Sequence, residues 1–224
     1  MEPEFWRQRW QENKIGFHLD AVNPSLIEHW PALGIKPGAR VFVPLCGKTM
    51  DMAWLVTQGY VVEAVELSEL AIEQFFAEQG LAYERQEADG WVSYRSERLR
   101  IWCGDFFELA APQLGQIDAV YDRAALIALP LELRGRYVQK LLSLTCNAPQ
   151  FLITLSYDQS QMSGPPFSVR ESEVNALYRH AYGELTGPDA RNDVLASHGH
   201  FAERGLTALH ECVYLLQESP ASLE

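Results

Sequence analysis

Basic residues are scarce in this sequence. It contains 18 Lys and Arg against 30 Asp and Glu, which gives a formal net charge of -12. Nucleic acids and anionic membranes are bound chiefly by clusters of Lys and Arg. The charge balance therefore argues against both as partners, and we expect a small-molecule ligand instead.

Long apolar runs are also missing. No stretch reaches the length that spans a bilayer, and the N-terminus, MEPEFWRQRW, has no basic segment followed by an apolar one. We therefore expect a soluble, cytoplasmic protein, and we expect it to be a monomer.

The sequence has few cysteines and no paired motif for metal or redox chemistry. Its four cysteines stand singly, without a C-x-x-C pair. Buried, reduced thiols are the expected state, although Cys46 lies in a turn where a catalytic role competes with packing. His198 and His200 lack a third ligand at a regular spacing, which favours a polar loop without metal. No Ser-His-Asp or Cys-His pattern is present, so no catalytic residue is predicted.

Apolar runs and helical patterns alternate along the 224 residues, 47% of which are hydrophobic. This alternation predicts one α/β domain over 1–224, with a doubly wound, mostly parallel sheet and an antiparallel pair at one edge. The predicted strands are 40–45, 60–67, 82–86, 99–103, 117–121, 151–157 and 206–216, with an excursion over 91–96. The predicted helices lie within 3–30 and over 49–58, 69–79, 131–146 and 169–182.

The stretch FVPLCGKTMDM, residues 42–52, resembles the end of a phosphate-binding loop but lacks one of its glycines. A G-x-x-x-x-G-K-[ST] loop ending at Gly47 needs glycine at position 42, where this sequence has Phe42. The turn also lacks the G-x-G-x-x-G glycines that make room for a pyrophosphate, which disfavours NAD and FAD. Lys48 and Thr49 are therefore expected to begin a helix rather than to bind phosphate.

Glu66 follows Gly47 by 19 residues and closes the second predicted strand. An acidic residue about 20 residues after the glycine turn is where nucleotide-binding sheets bind ribose hydroxyls. The alternative is that Glu66 caps the next helix or is solvated. The spacing favours a ribose ligand at the carboxyl ends of the strands.

S-adenosylmethionine has a ribose but no phosphate, and it fits a turn with a single glycine. Its methionine end would lie over Leu45 and Gly47, while Asp105 would accept a hydrogen bond from the adenine amino group and Phe106 would cover the ring. On composition alone, Phe106 beside Phe107 is more typical of a core residue.

Several ordered motifs resemble the thiopurine S-methyltransferases, class I methyltransferases that use S-adenosylmethionine. The motifs are FVPLCGK, VELSELAIEQFFAEQGL, YDRAALIAL, LSYD and GPPFSV, and the resemblance extends from EFWRQRW to ECVYLLQ. It implies a Rossmann-like methyltransferase domain with a seven-stranded sheet. It also implies that residues 1–35 form a helical cover over the cofactor site.

The resemblance also implies roles for individual residues. Trp10 would lie against the cofactor with Trp6 near it, although their spacing of four alone indicates an ordinary helix face. Phe17 and Arg123 would lie where substrate and donor meet, so Arg123 would contact both. The resemblance implies the same cofactor contacts as above for Leu45, Glu66, Asp105 and Phe106. Arg204 aligns only with a gap and is not assigned.

The expected function is S-adenosylmethionine-dependent methylation of the sulfur of thiopurines and related aromatic or heterocyclic thiols. A pocket for a soft sulfur anion also suits selenium or tellurium species, which are the alternative substrates. A methyltransferase acting on oxygen or nitrogen, and a module that binds the cofactor without turnover, remain as further alternatives.

Overall fold

The computed structural model describes residues 3–185 and 187–218. Contacts between residues divide the chain into two compact units, Met1–Tyr121 and Asp122–Glu224. The prediction of a single domain over 1–224 stays a prediction.

The first unit contains strands and short helices in alternation. Its helices are α1 (Pro3–Gln11), α2 (Pro24–His29), α3 (Asp51–Thr57), α4 (Glu69–Glu78) and α5 (Ala111–Leu114). Its strands are β1 (Arg40–Val43), β2 (Val61–Glu66), β3 (Glu84–Ala88), β4 (Trp91–Arg95), β5 (Leu99–Cys103) and β6 (Ala119–Arg123), the last of which runs on into the second unit. Short 3-10 turns cover Trp30–Leu33 and Phe106–Glu108.

The central strands of this unit are parallel. β1 pairs with β2 and with β6, and β2 pairs with β5 in a register that sets Glu66 opposite Cys103. Because parallel strands share a direction, the carboxyl ends of β1, β2 and β5 lie at one edge of the sheet. β4 pairs with β5 and β3 pairs with β4, both antiparallel. Most of the segment 91–96, which was predicted as an excursion, is therefore strand β4.

Strand β1 ends two residues earlier than the sequence pattern indicates. Pro44 has no N–H to donate to a neighbouring strand, and Leu45 has a positive φ of 46°. Both features are incompatible with a continued ladder. The chain therefore turns at Pro44, and the turn carries Cys46 and Gly47 beyond the strand.

The second unit contains the two longest helices and an antiparallel sheet. Its elements are α6 (Leu131–Thr145), β7 (Gln150–Ser156), α7 (Glu171–Tyr182), β8 (Ala190–Asp193), α8 (Gly199–Glu203) and β9 (His210–Leu216). A 3-10 turn covers Leu126–Ala128. β9 pairs with β7 on one side and with β8 on the other, both antiparallel.

Two predicted boundaries in this unit are wrong. Helix α7 starts at Glu171 rather than Val169, because the Val169 amide donates to Leu155 O at 2.8 Å and Arg170 has an extended backbone. The last strand starts at His210 rather than Leu206, because Leu206 belongs to an apolar cluster with Tyr157, Phe201 and other residues. The sequence analysis also missed β8 and α8.

Within residues 3–185 and 187–218, nine strands follow the order β3-β4-β5-β2-β1-β6-β7-β9-β8. This order confirms the doubly wound α/β class with a parallel centre and an antiparallel edge. Antiparallel strands occur at both ends of the order, which is how the strand number exceeds the predicted seven. Among the described residues, no helix has both the length and the apolar character needed to cross a membrane.

Candidate functional site

The turn after β1 has an unusual backbone. Leu45 and Gly47 have φ values of 46° and 54°, and the Cys46 amide donates to Val65 O at 3.0 Å. A left-handed conformation costs a residue with a side chain about 1–2 kcal/mol. Strained residues of this kind cluster at ligand sites, which makes the turn a candidate site.

Glu66 holds this turn against the end of β2. Its side chain is buried, with 6% of the residue surface exposed. Oε2 accepts the Gly47 amide at 2.8 Å, and Oε1 accepts the Ser68 amide at 2.8 Å. One carboxylate therefore fixes the turn after β1 and the start of α4 together.

The alternative role of Glu66 as the helix cap is only partly right. The α4 cap proper is Ser68, whose Oγ accepts the Ala71 amide at 3.4 Å. Burial raises the pKa of Glu66, and the amides of Ser68, Gly47 and Leu67 oppose that rise by stabilising the charged form.

The Glu66 carboxylate has acceptor capacity beyond these two amides. A carboxylate has about four acceptor positions, and each Glu66 oxygen uses one on a backbone amide. Each oxygen keeps a further lone pair for a hydroxyl group. The backbone amides also fix the direction of the carboxylate, so a ligand need not order it on binding.

Asp105 and Phe106 follow the end of β5. The Gly104 amide donates to Glu66 O at 2.9 Å, which brings this strand end beside Glu66. Asp105 Oδ1 accepts the Phe107 amide at 2.9 Å, so Asp105 caps the 3-10 turn. Phe106 is 4% exposed and stacks on Phe42 with ring centroids 6.5 Å apart. The structure thus places the Phe106 ring in the core, and its predicted contact with adenine stays a prediction.

The sequence analysis missed Trp91, the first residue of β4, which lies beside the end of β5. A Cβ atom added to Gly104 would meet the Trp91 ring at 2.5 Å, so the ring packs directly against the glycine backbone. Trp91 also makes an edge contact with Trp102. The signal for this contact was Gly104 itself, because a glycine at a strand end often permits a close approach.

Trp10 of α1 lies on the turn. It is 4% exposed, and a Cβ atom added to Gly47 would be 3.0 Å from its Cζ2. Phe17 makes edge contacts with Trp10 and Trp6, with centroids 5.6 and 5.8 Å away. The structure therefore brings Trp10, Phe17 and Gly47 together, which helix spacing alone did not indicate.

Lys48 points away from the turn. Its Nζ lies 2.6 Å from Glu78 Oε1, at the last residue of α4. This ion pair agrees with the prediction that Lys48 does not bind phosphate. The prediction that Lys48 and Thr49 begin a helix is wrong, because α3 begins at Asp51.

Burial raises the pKa of the neighbouring Cys46 thiol well above its usual range, which disfavours the catalytic role considered for it.

The remaining candidate residues belong to the second unit. Arg123 is the last residue of β6 and is partly buried, and Ala124 after it has φ 67°. The guanidinium of Arg204 lies 5.9 Å from the centre of the Phe201 ring. His198 is the residue before α8, as its N-cap, whereas His200 lies within the helix, so the expected polar loop holds only for His198. The residues described contain no group of three or more potential metal ligands.

Comparison with known proteins gives the same family as the sequence motifs. The family model for thiopurine S-methyltransferase (TPMT) matches residues 1–219. A thiopurine S-methyltransferase of Bordetella petrii is 50% identical over 218 residues, covering 97% of this chain and 99% of the relative. One from Pseudomonas entomophila is 48% identical over 220 residues, covering 96% and 99%.

Solved structures with low sequence identity share the fold. A 1,6-didemethyltoxoflavin-N1-methyltransferase of Burkholderia thailandensis, solved with S-adenosylhomocysteine, has a TM-score of 0.62 at 18% identity and covers 96% of this chain and 87% of its own. A magnesium protoporphyrin IX methyltransferase of Synechocystis has a TM-score of 0.61 at 13% identity, with coverage of 96% and 99%. From the family model and the relatives of nearly equal length, this chain belongs to the thiopurine S-methyltransferase family.

Proposed function

We propose that this chain transfers the methyl group of S-adenosylmethionine to the sulfur of thiopurines and related aromatic or heterocyclic thiols. The observation that carries the proposal is family membership over residues 1–219, with relatives of that name at about half identity. The candidate site adds an oriented acidic side chain and a single-glycine turn, which suit a nucleoside without phosphate.

Residues of the first unit would hold the cofactor. Glu66 would accept the ribose hydroxyls, and the backbone of Leu45 and Gly47 would lie along the methionine end. Asp105 and Phe106 would bind the adenine, through a carboxylate oxygen and backbone or ring contacts. Trp10 would cover the site, which supports the proposal that residues 1–35 act as a cover.

The donor supplies a methyl group already activated by a positive sulfonium, so the protein's task is to align the acceptor and exclude water. Aromatic thiols are partly ionised near neutral pH, so the chain needs no strong general base. Arg123 would stabilise the thiolate and also contact the cofactor. Phe17 would stack on the ring of the substrate, and Trp10 beside it would keep water out.

The test is incubation of the protein with labelled S-adenosylmethionine and 6-mercaptopurine. We expect methylated thiopurine, with kcat/KM reduced at least tenfold in Arg123→Met, because hydrogen bonds to charged groups contribute about 1.5–3 kcal/mol. Arg179→Met, which removes an exposed arginine on α7 of the same unit, is the control and should match wild type. Cofactor binding without methylated thiol would contradict the substrate assignment.

The same proposal covers the partners and the compartment. The net charge of -12 supports a chain without a nucleic-acid partner, and the four free cysteines suit the reducing cytoplasm. We propose a monomer, which light scattering after gel filtration tests. A mass near twice 25.4 kDa would contradict the monomer.

A further inference from the structure

Asp122 is a buried carboxylate near the end of β6. It lies in β6 directly before Arg123, and none of its surface is exposed. A buried charge is costly unless hydrogen bonds surround it. The partners of Asp122 therefore show what it does.

One oxygen of Asp122 is used by the turn that follows β6. Oδ1 accepts the Leu126 amide at 3.3 Å, and the Ala125 amide also stabilises the charged carboxylate. The turn contains Ala124 at φ 67°, a conformation that costs a residue with a side chain about 1–2 kcal/mol. The carboxylate thus holds closed a turn that its own backbone disfavours.

The other oxygen is anchored in the core of the second unit. Oδ2 accepts the hydroxyl of Tyr137 at 2.7 Å and the side-chain amide of Gln150 at 3.5 Å. The Gln150 amide also donates to the Tyr178 hydroxyl at 3.2 Å. Helix α6 and strand β7 therefore hold this carboxylate directly, and α7 contributes through the Gln150 side chain.

We propose that Asp122 is a positioning residue, whose carboxylate holds the turn over 123–126 and thereby sets the direction of the Arg123 side chain. The importance of that direction rests on the proposed function, in which Arg123 contacts the thiol and the cofactor. Asp122 is fully buried and would act only through Arg123.

The groups around Asp122 make the effect dependent on pH. Burial raises the pKa of Asp122 to about 6. Burial and the Asp122 charge raise the pKa of Tyr137 and Tyr178 well above their usual range, so both remain neutral. The charged acceptor for the turn is therefore present above about pH 6 and is lost as the pH falls through that value.

Hydrogen exchange of the amides over 123–128 between pH 5 and pH 8, corrected for intrinsic rates, tests the turn directly. In wild type we expect protection to rise with pH with a midpoint near 6. Asp122→Asn, which keeps an oxygen acceptor but no charge, should lose the pH dependence. Asp193→Asn is the matched control, because Asp193 accepts the Leu195 amide in an exposed turn. Equal profiles for wild type and Asp122→Asn would overturn the proposal.

A double-mutant cycle separates positioning from a general loss of structure. Asp122→Asn should lower kcat/KM by about 10- to 100-fold, since a small misplacement of a positioned group has effects of that size. In the Arg123→Met background, Asp122→Asn should lower kcat/KM by less than about twofold, because the guanidinium that Asp122 positions is absent. Independent, additive losses would contradict the proposal.

A second variant covers the case in which Asp122→Asn does not fold. Tyr137→Phe removes one donor to the charged carboxylate, so the exchange midpoint should move to higher pH. An unmoved midpoint would count against the proposal. If wild type yields no methylated thiol at all, the proposed function fails, while the exchange measurements still decide the role of Asp122.

Discussion

At the residue scale, the candidate site depends on atoms that serve two neighbours at once. The Glu66 carboxylate accepts the amides of Gly47 and Ser68, and the Gly47 backbone lies under the Trp10 ring. Such a residue cannot change without disturbing both the turn and any ligand bound over it. Two substitutions separate these effects.

Replacing Glu66 by Gln should weaken cofactor binding. The new NH2 group would face one of the two backbone amides, and a buried donor left without an acceptor costs about 1–3 kcal/mol. Loss of the charged acceptor for the ribose should raise the Kd for S-adenosylmethionine about 10- to 100-fold, since such bonds contribute about 1.5–3 kcal/mol. Isothermal titration calorimetry of wild type and Glu66→Gln with S-adenosylmethionine measures this change in Kd.

Glu63→Gln is the matched control for Glu66. Glu63 is a second buried carboxylate on β2, and it accepts the indole N–H of Trp102 at 3.1 Å. We expect this change to lower stability without altering the Kd. Unchanged affinity in Glu66→Gln would remove the ribose assignment.

Replacing Gly47 by Ala should displace Trp10. The added Cβ would lie 3.0 Å from Trp10 Cζ2 and would keep the positive φ of 54°. Gly34→Ala provides the comparison, because Gly34 has φ 71° and no atom within 4 Å of an added Cβ. Both changes pay the backbone penalty of about 1–2 kcal/mol. Only Gly47→Ala should also shift tryptophan fluorescence and weaken cofactor binding, and equal behaviour of the two variants would contradict the contact.

At the scale of elements, one arginine joins several segments of the second unit. Arg134 of α6 lies 2.6 and 2.8 Å from the two carboxylate oxygens of Glu173 on α7. It also donates to the carbonyl oxygens of Leu129 and Ser168. Because its side chain is 4% exposed, these bonds are sheltered from solvent screening.

Replacing Arg134 by Met should destabilise the protein by about 3–5 kcal/mol, because removal of one partner leaves a poorly solvated charge. Arg134→Lys should recover only part of the loss, since a single ammonium cannot reproduce the paired donors of a guanidinium. Urea unfolding measures both. Gln139→Met, at an exposed site on the same helix, should change stability by less than about 0.5 kcal/mol. A similarly small effect at Arg134 would show that the ion pair contributes little.

At the scale of the whole molecule, unfolding can decide whether the two units form one domain. All six tryptophans lie in Met1–Tyr121, whereas the two longest helices lie in Asp122–Glu224. Tryptophan fluorescence therefore reports on the first unit, and far-UV circular dichroism reports on both. If the chain is one cooperative domain, the two signals should give the same urea midpoint. Separate midpoints would show two domains.

The sequence predicted best those residues whose separation along the chain is set by the topology of the sheet. Glu66 was identified because nucleotide-binding sheets have an acidic residue about 20 positions after the glycine turn. In the structure, its carboxylate accepts the Gly47 amide. Trp91 was missed, because its contact with Gly104 depends on how β4 pairs with β5. β8 and α8 were missed because short elements carry little periodicity, and their stability comes from neighbours.

The sequence by itself determined the α/β alternation, the class of ligand and the family. These follow from local patterns: apolar periodicity, a missing glycine at position 42, and motifs that need no knowledge of contacts. The tertiary structure alone decided that Glu66 binds two backbone amides, that Trp10 lies on Gly47, and that Lys48 pairs with Glu78. All of these contacts except the one between Glu66 and Ser68 join residues far apart in the sequence, and burial rather than sequence spacing selects which polar groups meet.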